Sequence, residues 1–189
     1  MKVTGVVLAG GLGQRMGGVD KGLVHFRGHP MAKMVIERFA PQVDELLINA
    51  NRNADTYASF GYRVIPDALP GFAGPLAGLQ AGLMAATHEL VATVPCDSPF
   101  LPDDLIARLQ SALVTKNAQL AVAVAEGRAQ PVFCLCRRDV LSQLTRFLQH
   151  GGRKMHAWHG SLNVVEVNFD HVAKAFSNIN TSQELDAVK

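Results

Sequence analysis

Residues 3–22 read VTGVVLAGGLGQRMGGVDKG. The run Val3–Leu8 is apolar and β-branched, and it breaks at Ala9 into Gly10, Gly11 and Gly13. A short apolar run bounded by glycine predicts a buried strand. In an open α/β sheet, ligands gather beyond the carboxyl ends of the strands. Leu8, Ala9, Gly10 and Gly11 stand at such an end. Glycine lets backbone N–H groups approach an anion with no side chain in the way. Arg15 can fork onto phosphate oxygens, and Lys21 adds a compact point charge. A bare backbone with two cations suits a polyphosphate better than it suits a merely tight turn.

Two common phosphate loops do not fit. In the dinucleotide pattern G-x-G-x-x-G/A, Gly11 and Gly13 are followed by Met16 where a small residue belongs, and the second strand ends in Asn49, Ala50, Asn51 and Arg52 without the acid that binds ribose. The nucleoside-triphosphatase loop needs Gly-Lys-Ser/Thr, whereas Lys21 lies between Asp20 and Gly22.

Working outward, HPMAKMVIERFA (29–40) predicts a helix with Met31, Met34, Val35 and Phe39 on one face, ended by Pro41. DELLINAN (44–51) is a second strand, ADTYASFG (54–61) a short helix, and YRVIPD (62–67) a third strand. A helix follows from Pro75, with Gly74, Gly78 and Gly82 at four-residue spacing. Each interior glycine costs about 1 kcal/mol relative to alanine, so this stripe predicts a strand or a ligand packed close. HELVATVPCD (88–97) is a fourth strand, and PDDLIARLQSAL (102–113) is a helix with Asp103 and Asp104 in its first turn. QLAVAVAEG (119–127) and QPVFCLCRR (130–138) predict two strands joined by a polar hairpin. Then come a helix over 139–152, a short helix or turn at 154–160, a strand over 162–169, a brief strand at AFSNIN (175–180), and a helix capped from Thr181 to Glu184. Alternation of strand and helix predicts an α/β fold: three layers, α/β/α, around a mostly parallel mixed sheet, Rossmann-like. The 189 residues show no repeat or linker and are expected to form one domain, 1–189.

Hydrophobic residues make up 48% and charged residues 18%, as in an ordinary globular chain, and the net charge is +2. Basic residues are scattered, so no footprint for nucleic acid is present. No window reaches the roughly 18 continuous apolar residues of a membrane span. The glycines at 5, 10 and 11 interrupt any signal-peptide core. The expectation is a cytoplasmic protein. Cys96, Cys134 and Cys136 have no framework spacing and read as reduced core thiols.

Asp97, in VPCDSPFLP (94–102), ends the fourth strand. A carboxylate there can hold Mg2+, a hard cation that keeps phosphates and waters as its other ligands. Asp-Ser-Pro is also good turn chemistry, so a capping role stands beside that reading. Asp67 ends another strand, and Asn49, Asn51, Asn178 and Asn180 alternate at strand ends. Each amide suits a base edge, a ribose or a pterin, and each equally suits a turn.

LAGGLGQRMGGVDKG (8–22) resembles the signature loop of the nucleotidyltransferases that transfer a nucleoside monophosphate from a triphosphate. That signature runs L-A-G-G-x-x-x-R-M-G followed by Lys. Together with NANR (49–52), GPLAGL (74–79), PCDSPFLP (95–102) and NINTSQEL (178–185), it is similar to the narrower family of molybdenum cofactor guanylyltransferases. Gln14 stands where that family often has a basic residue.

The resemblance implies a Mg2+-dependent, cytoplasmic enzyme with GTP and molybdopterin as substrates. Transient contacts with other molybdenum-cofactor biosynthesis proteins are implied too. Leu8, Ala9, Gly10 and Gly11 are then expected to contact GTP, with Lys21 neutralising phosphate. Asn49 and Asp67 hold the nucleoside, and Asp97 holds the metal. Lys21, Asp97 and Arg15 carry the transfer, while Gly18, Gly78, Asn178 and Asn180 face the pterin. Another base or acceptor, such as cytidylyl transfer or a sugar phosphate, is the nearest alternative. A dinucleotide oxidoreductase and a non-catalytic nucleotide or pterin carrier lie further off. The seven histidines are placed by no motif and are expected to be surface or structural residues.

Overall fold

The computed structural model describes residues 1–9, 11, 19–68 and 74–177. Its strands are β1 (Val3–Leu8), β2 (His25–Phe26), β3 (His29–Pro30), β4 (Glu45–Asn49), β5 (Arg63–Ile65), β6 (Leu90–Pro95), β7 (Leu120–Ala125), β8 (Arg128–Arg137) and β9 (Val164–Asn168). Its helices are α1 (Met31–Phe39), α2 (Ala54–Ala58), α3 (Pro75–Ala85), α4 (Leu105–Thr115), α5 (Leu141–Gln149) and α6 (Met155–His159). Among the described residues, seven strands form one sheet in the order β5-β4-β1-β6-β8-β7-β9. β5, β4, β1 and β6 run parallel, β8 is antiparallel to both neighbours, and β9 is parallel to β7. None of the described helices is long and apolar enough to cross a membrane.

The three layers follow from strand alternation. Val7, Ile48 and Ala92 face one side, where they pack with Val35 and Phe39 of α1 and Leu109 of α4. Val6, Leu47 and Val91 face the other, against Leu79 of α3, Leu148 of α5 and Trp158 of α6. The mostly parallel mixed sheet expected from the alternating pattern is therefore present. The β7–β8 hairpin turns at Glu126 and Gly127, both left-handed (φ 52° and 68°), as a two-residue turn requires. The β6–β8 ladder stops at Thr93–Cys134, so Val94 and Pro95 pair with β1 alone.

Two expected elements differ. Pro102–Asp104 precede α4 rather than opening it, and the helix begins at Leu105. Of the residues read as a brief strand from 175, Ala175 and Phe176 close a 3-10 run over Asp170–Phe176, and Ser177 follows it. That turn folds Phe176 back onto Phe133 (ring centroids 4.8 Å apart) and Phe169 (5.4 Å), contacts that an extended chain would carry away. The remainder of that stretch and the helix capped at Thr181 lie outside the described residues.

Candidate functional site

The parallel strands end in a row. Ile65, Asn49, Leu8 and Pro95 are successive register partners across β5, β4, β1 and β6. The ladder runs one residue further: Ala9 N–H donates to Asn49 (2.8 Å), Ala50 N–H to Ile65 (3.0 Å), and Cys96 N–H to Leu8 (3.2 Å). The glycine-rich segment after β1 and the Asp97 corner after β6 therefore leave the sheet side by side. This is the carboxyl-end crevice where α/β sheets hold ligands.

Lys21 Nζ lies 3.5 Å from Asp97 Oδ2. Asp97 is only 8% exposed. Burial pushes its carboxyl above the usual range, and the Lys21 ammonium opposes that rise without cancelling it. Such a carboxylate gains by meeting a cation, since a cation offsets the hydration it has lost. Two roles suggested by the chain, a phosphate cation and a metal-holding acid, thus meet at one point.

Lys21 opens a 3-10 turn, Lys21–Leu23, that Asp20 caps through its carbonyl (Leu23 N–H, 3.0 Å). The Asp20 carboxylate accepts from the Tyr57 hydroxyl (2.6 Å) and from Asn53 Nδ2 (2.9 Å). Burial, together with the bond to Asp20, pushes the Tyr57 hydroxyl far up in pKa, so it remains a donor. Gly22 is buried here, and a Cβ on it would collide with the Tyr57 hydroxyl and come within 3.3 Å of Cys96 Cβ.

On the opposite flank, Asp67 accepts from Asn49 Nδ2 (2.9 Å) and Asn51 Nδ2 (2.8 Å), and its own N–H donates to Asn51 Oδ1 (2.8 Å). The structure thus brings Asn49 and Asp67 together and adds Asn51 as a partner. Arg52 Nη2 reaches the Gly11 carbonyl at 3.3 Å. Leu8 ends β1 at the crevice with Ala9 following it, and Gly11 is exposed.

Gly78, expected to face a pterin, is placed otherwise. It is buried in α3, and a Cβ there would collide with Asn49 Oδ1 and sit 2.8 Å from Leu8 Cδ2. Gly82 does the same against Val6 Cγ2, at 2.6 Å. Of the two occupants allowed for the glycine stripe, strand or ligand, the sheet takes the space at Gly78 and Gly82, while a Cβ on Gly74 would meet nothing within 4 Å and its φ of 77° is what favours glycine. Gly10, Arg15, Gly18, Asn178 and Asn180 lie outside the described residues.

Tyr57, Asp20 and Asn53 were not singled out in the sequence. Asp20 and Tyr57 are 37 residues apart, and no local pattern couples a turn acid to a short helix. The positive φ of Asn53 (52°) just before α2 is the nearest local cue, since asparagine tolerates that conformation. The three cysteines are buried and free, as expected of core thiols.

The chain matches the MobA-like NTP transferase domain over residues 5–164. It is 51% identical over 188 residues to the molybdenum cofactor guanylyltransferase of Cupriavidus metallidurans, covering 97% of this chain and 92% of that protein. It is 52% identical over 192 residues to the enzyme of that name from Ralstonia nicotianae, covering 97% and 94%. In fold it is similar to the crystal structure of molybdopterin-guanine dinucleotide biosynthesis protein A from Archaeoglobus fulgidus, with a TM-score of 0.81 at 23% identity over 99% of this chain and 96% of that one. A 4-diphosphocytidyl-2C-methyl-D-erythritolsynthase from Anaerococcus prevotii shares the fold at TM-score 0.76 and 12% identity, over 98% and 95%. With a shared domain across most of its length and relatives identical at half their positions, this chain belongs to the MobA-like NTP transferases, among the molybdenum cofactor guanylyltransferases.

Proposed function

We propose that this chain transfers GMP from GTP to the terminal phosphate of molybdopterin, giving molybdopterin guanine dinucleotide and pyrophosphate in a Mg2+-dependent reaction in the cytoplasm. The observation that carries the reading is the pairing of Lys21 with buried Asp97 where the loop after β1 leaves the sheet. The names of its relatives supply guanine and the pterin.

The residues present fit a Mg2+ ion. No cluster of three or more His, Cys, Asp or Glu side chains occurs among the described residues, which disfavours an all-protein metal cage. Mg2+ suits one carboxylate with substrate phosphates and waters completing its shell, and Asp97 is that carboxylate. When bound, the ion neutralises charge building on the phosphates.

The chain's own groups do the rest. Lys21 places a fixed positive charge against the triphosphate, and the loop amides beyond Ala9, whose own N–H is taken by the Asn49 carbonyl, donate to phosphate oxygens. Asn49, buried and donating to Asp67 and to the Ile65 carbonyl, holds the Asp67 carboxylate, tied also to Asn51, for the nucleoside. The pterin phosphate oxygen attacks the α-phosphorus in line. A P–O bond forms there as the bond to the bridging oxygen breaks, and pyrophosphate leaves with that electron pair. A phosphate monoester is already ionised near neutral pH, so no general base is needed.

The test is pyrophosphate release by the purified chain with molybdopterin, Mg2+ and each of GTP, CTP, ATP and UTP. GTP is expected to turn over. Turnover with CTP instead would reassign the base, and release from none of them would end the transferase reading for this acceptor.

A further inference from the structure

We propose that Tyr57 is a positioning residue for the transfer, holding Lys21 against Asp97 by gripping Asp20. The inference rests on the reaction proposed above and assigns it a residue outside the nucleotide and metal contacts.

Tyr57 is 0% exposed, so its ring belongs to the core. Its hydroxyl nevertheless meets a carboxylate, Asp20 Oδ1, at 2.6 Å. The second oxygen of Asp20 takes Asn53 Nδ2 at 2.9 Å, so both come from the segment that enters and forms α2. A hydrogen bond to a charged acceptor is among the stronger kinds. Asp20 in turn caps the turn that Lys21 opens. Lysine ends a flexible four-carbon stem, so its ammonium can be aimed only if its backbone is held.

The surrounding packing points the same way. Gly22, immediately after Lys21, lies against the Tyr57 hydroxyl and faces Cys96, the residue before Asp97. The hydroxyl therefore lies against the residue that follows Lys21, at the point where that residue approaches Cys96, the neighbour of Asp97. Arg52, from the same segment, bonds the Gly11 carbonyl at the other shoulder of the loop. The stretch from Arg52 to Tyr57 thus grips the signature loop at two points, Gly11 and Asp20. An aromatic ring would fill the core equally well without its hydroxyl, so packing alone does not account for the oxygen.

Tyr57→Phe keeps the ring and removes only the donor. In the pyrophosphate assay with GTP, Mg2+ and molybdopterin, kcat/KM is expected to fall about tenfold, as a small misplacement of a catalytic charge should cause. In a Lys21→Ala background the same change is expected to cost less than about twofold, because the group it positions is gone. Asn53→Gly removes the second grip while glycine accepts the φ of 52°, and is expected to cost about threefold with the same dependence on Lys21. This variant carries the test if Tyr57→Phe does not fold. A wild-type chain that releases no pyrophosphate overturns the proposed reaction. A wild-type chain that works while both variants match it, or lose equally with and without Lys21, overturns this inference alone.

Discussion

Lys21 Nζ and Asp97 Oδ2 stand 3.5 Å apart, although 76 residues separate them in the chain. Register explains the meeting. Leu8 and Pro95 are paired at the ends of β1 and β6, so the segments that follow them share one mouth. The cation expected to meet phosphate and the acid expected to hold metal are thereby set on one spot.

The first prediction concerns that pair. Asp97→Asn is expected to lower pyrophosphate release at least about 100-fold and to abolish its response to Mg2+. The fold should survive. Burial raises the Asp97 pKa in the folded state, so its contribution favours the fold below the unfolded value and is lost as pH rises through the folded one. Above that folded value the charged carboxylate weakens the fold, and the uncharged amide should melt no earlier than wild type. Near-normal turnover by Asp97→Asn would remove Asp97 from the mechanism. Lys21→Ala should also lose transfer, and Lys21→Arg should not restore it, since a forked guanidinium does not replace a compact ammonium.

The second prediction separates packing from substrate contact along α3. Gly78→Ala and Gly82→Ala both force a Cβ into the sheet, the first against Asn49 and Leu8, the second against Val6. Overpacking of this kind costs about 1–3 kcal/mol, partly offset by about 1 kcal/mol of helix propensity. Both variants should melt earlier in a thermal scan. Only Gly78→Ala displaces Asn49, whose amide holds Asp67, so only it should raise KM for GTP severalfold. Equal GTP kinetics in the two variants would show that Asn49 placement does not matter to the nucleotide.

Gly78 also marks the limit of what the chain discloses before folding. Glycines at 74, 78 and 82 announce a close approach, which is real at Gly78 and Gly82 and missing at Gly74, and spacing cannot say whether a strand or a ligand makes it. The strands were legible because their apolar β-branched runs are local facts, and Asp97 because it follows one of them. Asp20 and Tyr57 were hidden because their bond exists only after α2 folds back beside the turn at Lys21. The 3-10 run to Phe176 was misjudged for a related reason, since one of its stabilising rings, Phe133, comes from β8, while the other, Phe169, is the residue that caps the run.

The last prediction concerns His159, a structural histidine in the α6 layer. It is 7% exposed, and its Nε2 has no hydrogen-bond partner among the described residues. Burial, with repulsion from His156, lowers its pKa from 6.5 to about 4. The unfolded chain therefore takes up the proton first as the solution is acidified. Its contribution to stability is whole above about pH 6.5, declines below that, and is gone by about pH 4. Urea midpoints measured between about pH 7.5 and pH 4.5 should fall for wild type over this window. His159→Gln, which cannot be charged, should start lower and fall less, so that the two curves converge on acidification. Parallel curves would mean that the ring finds water or a partner when it protonates, and that α6 opens without unfolding the sheet beneath it.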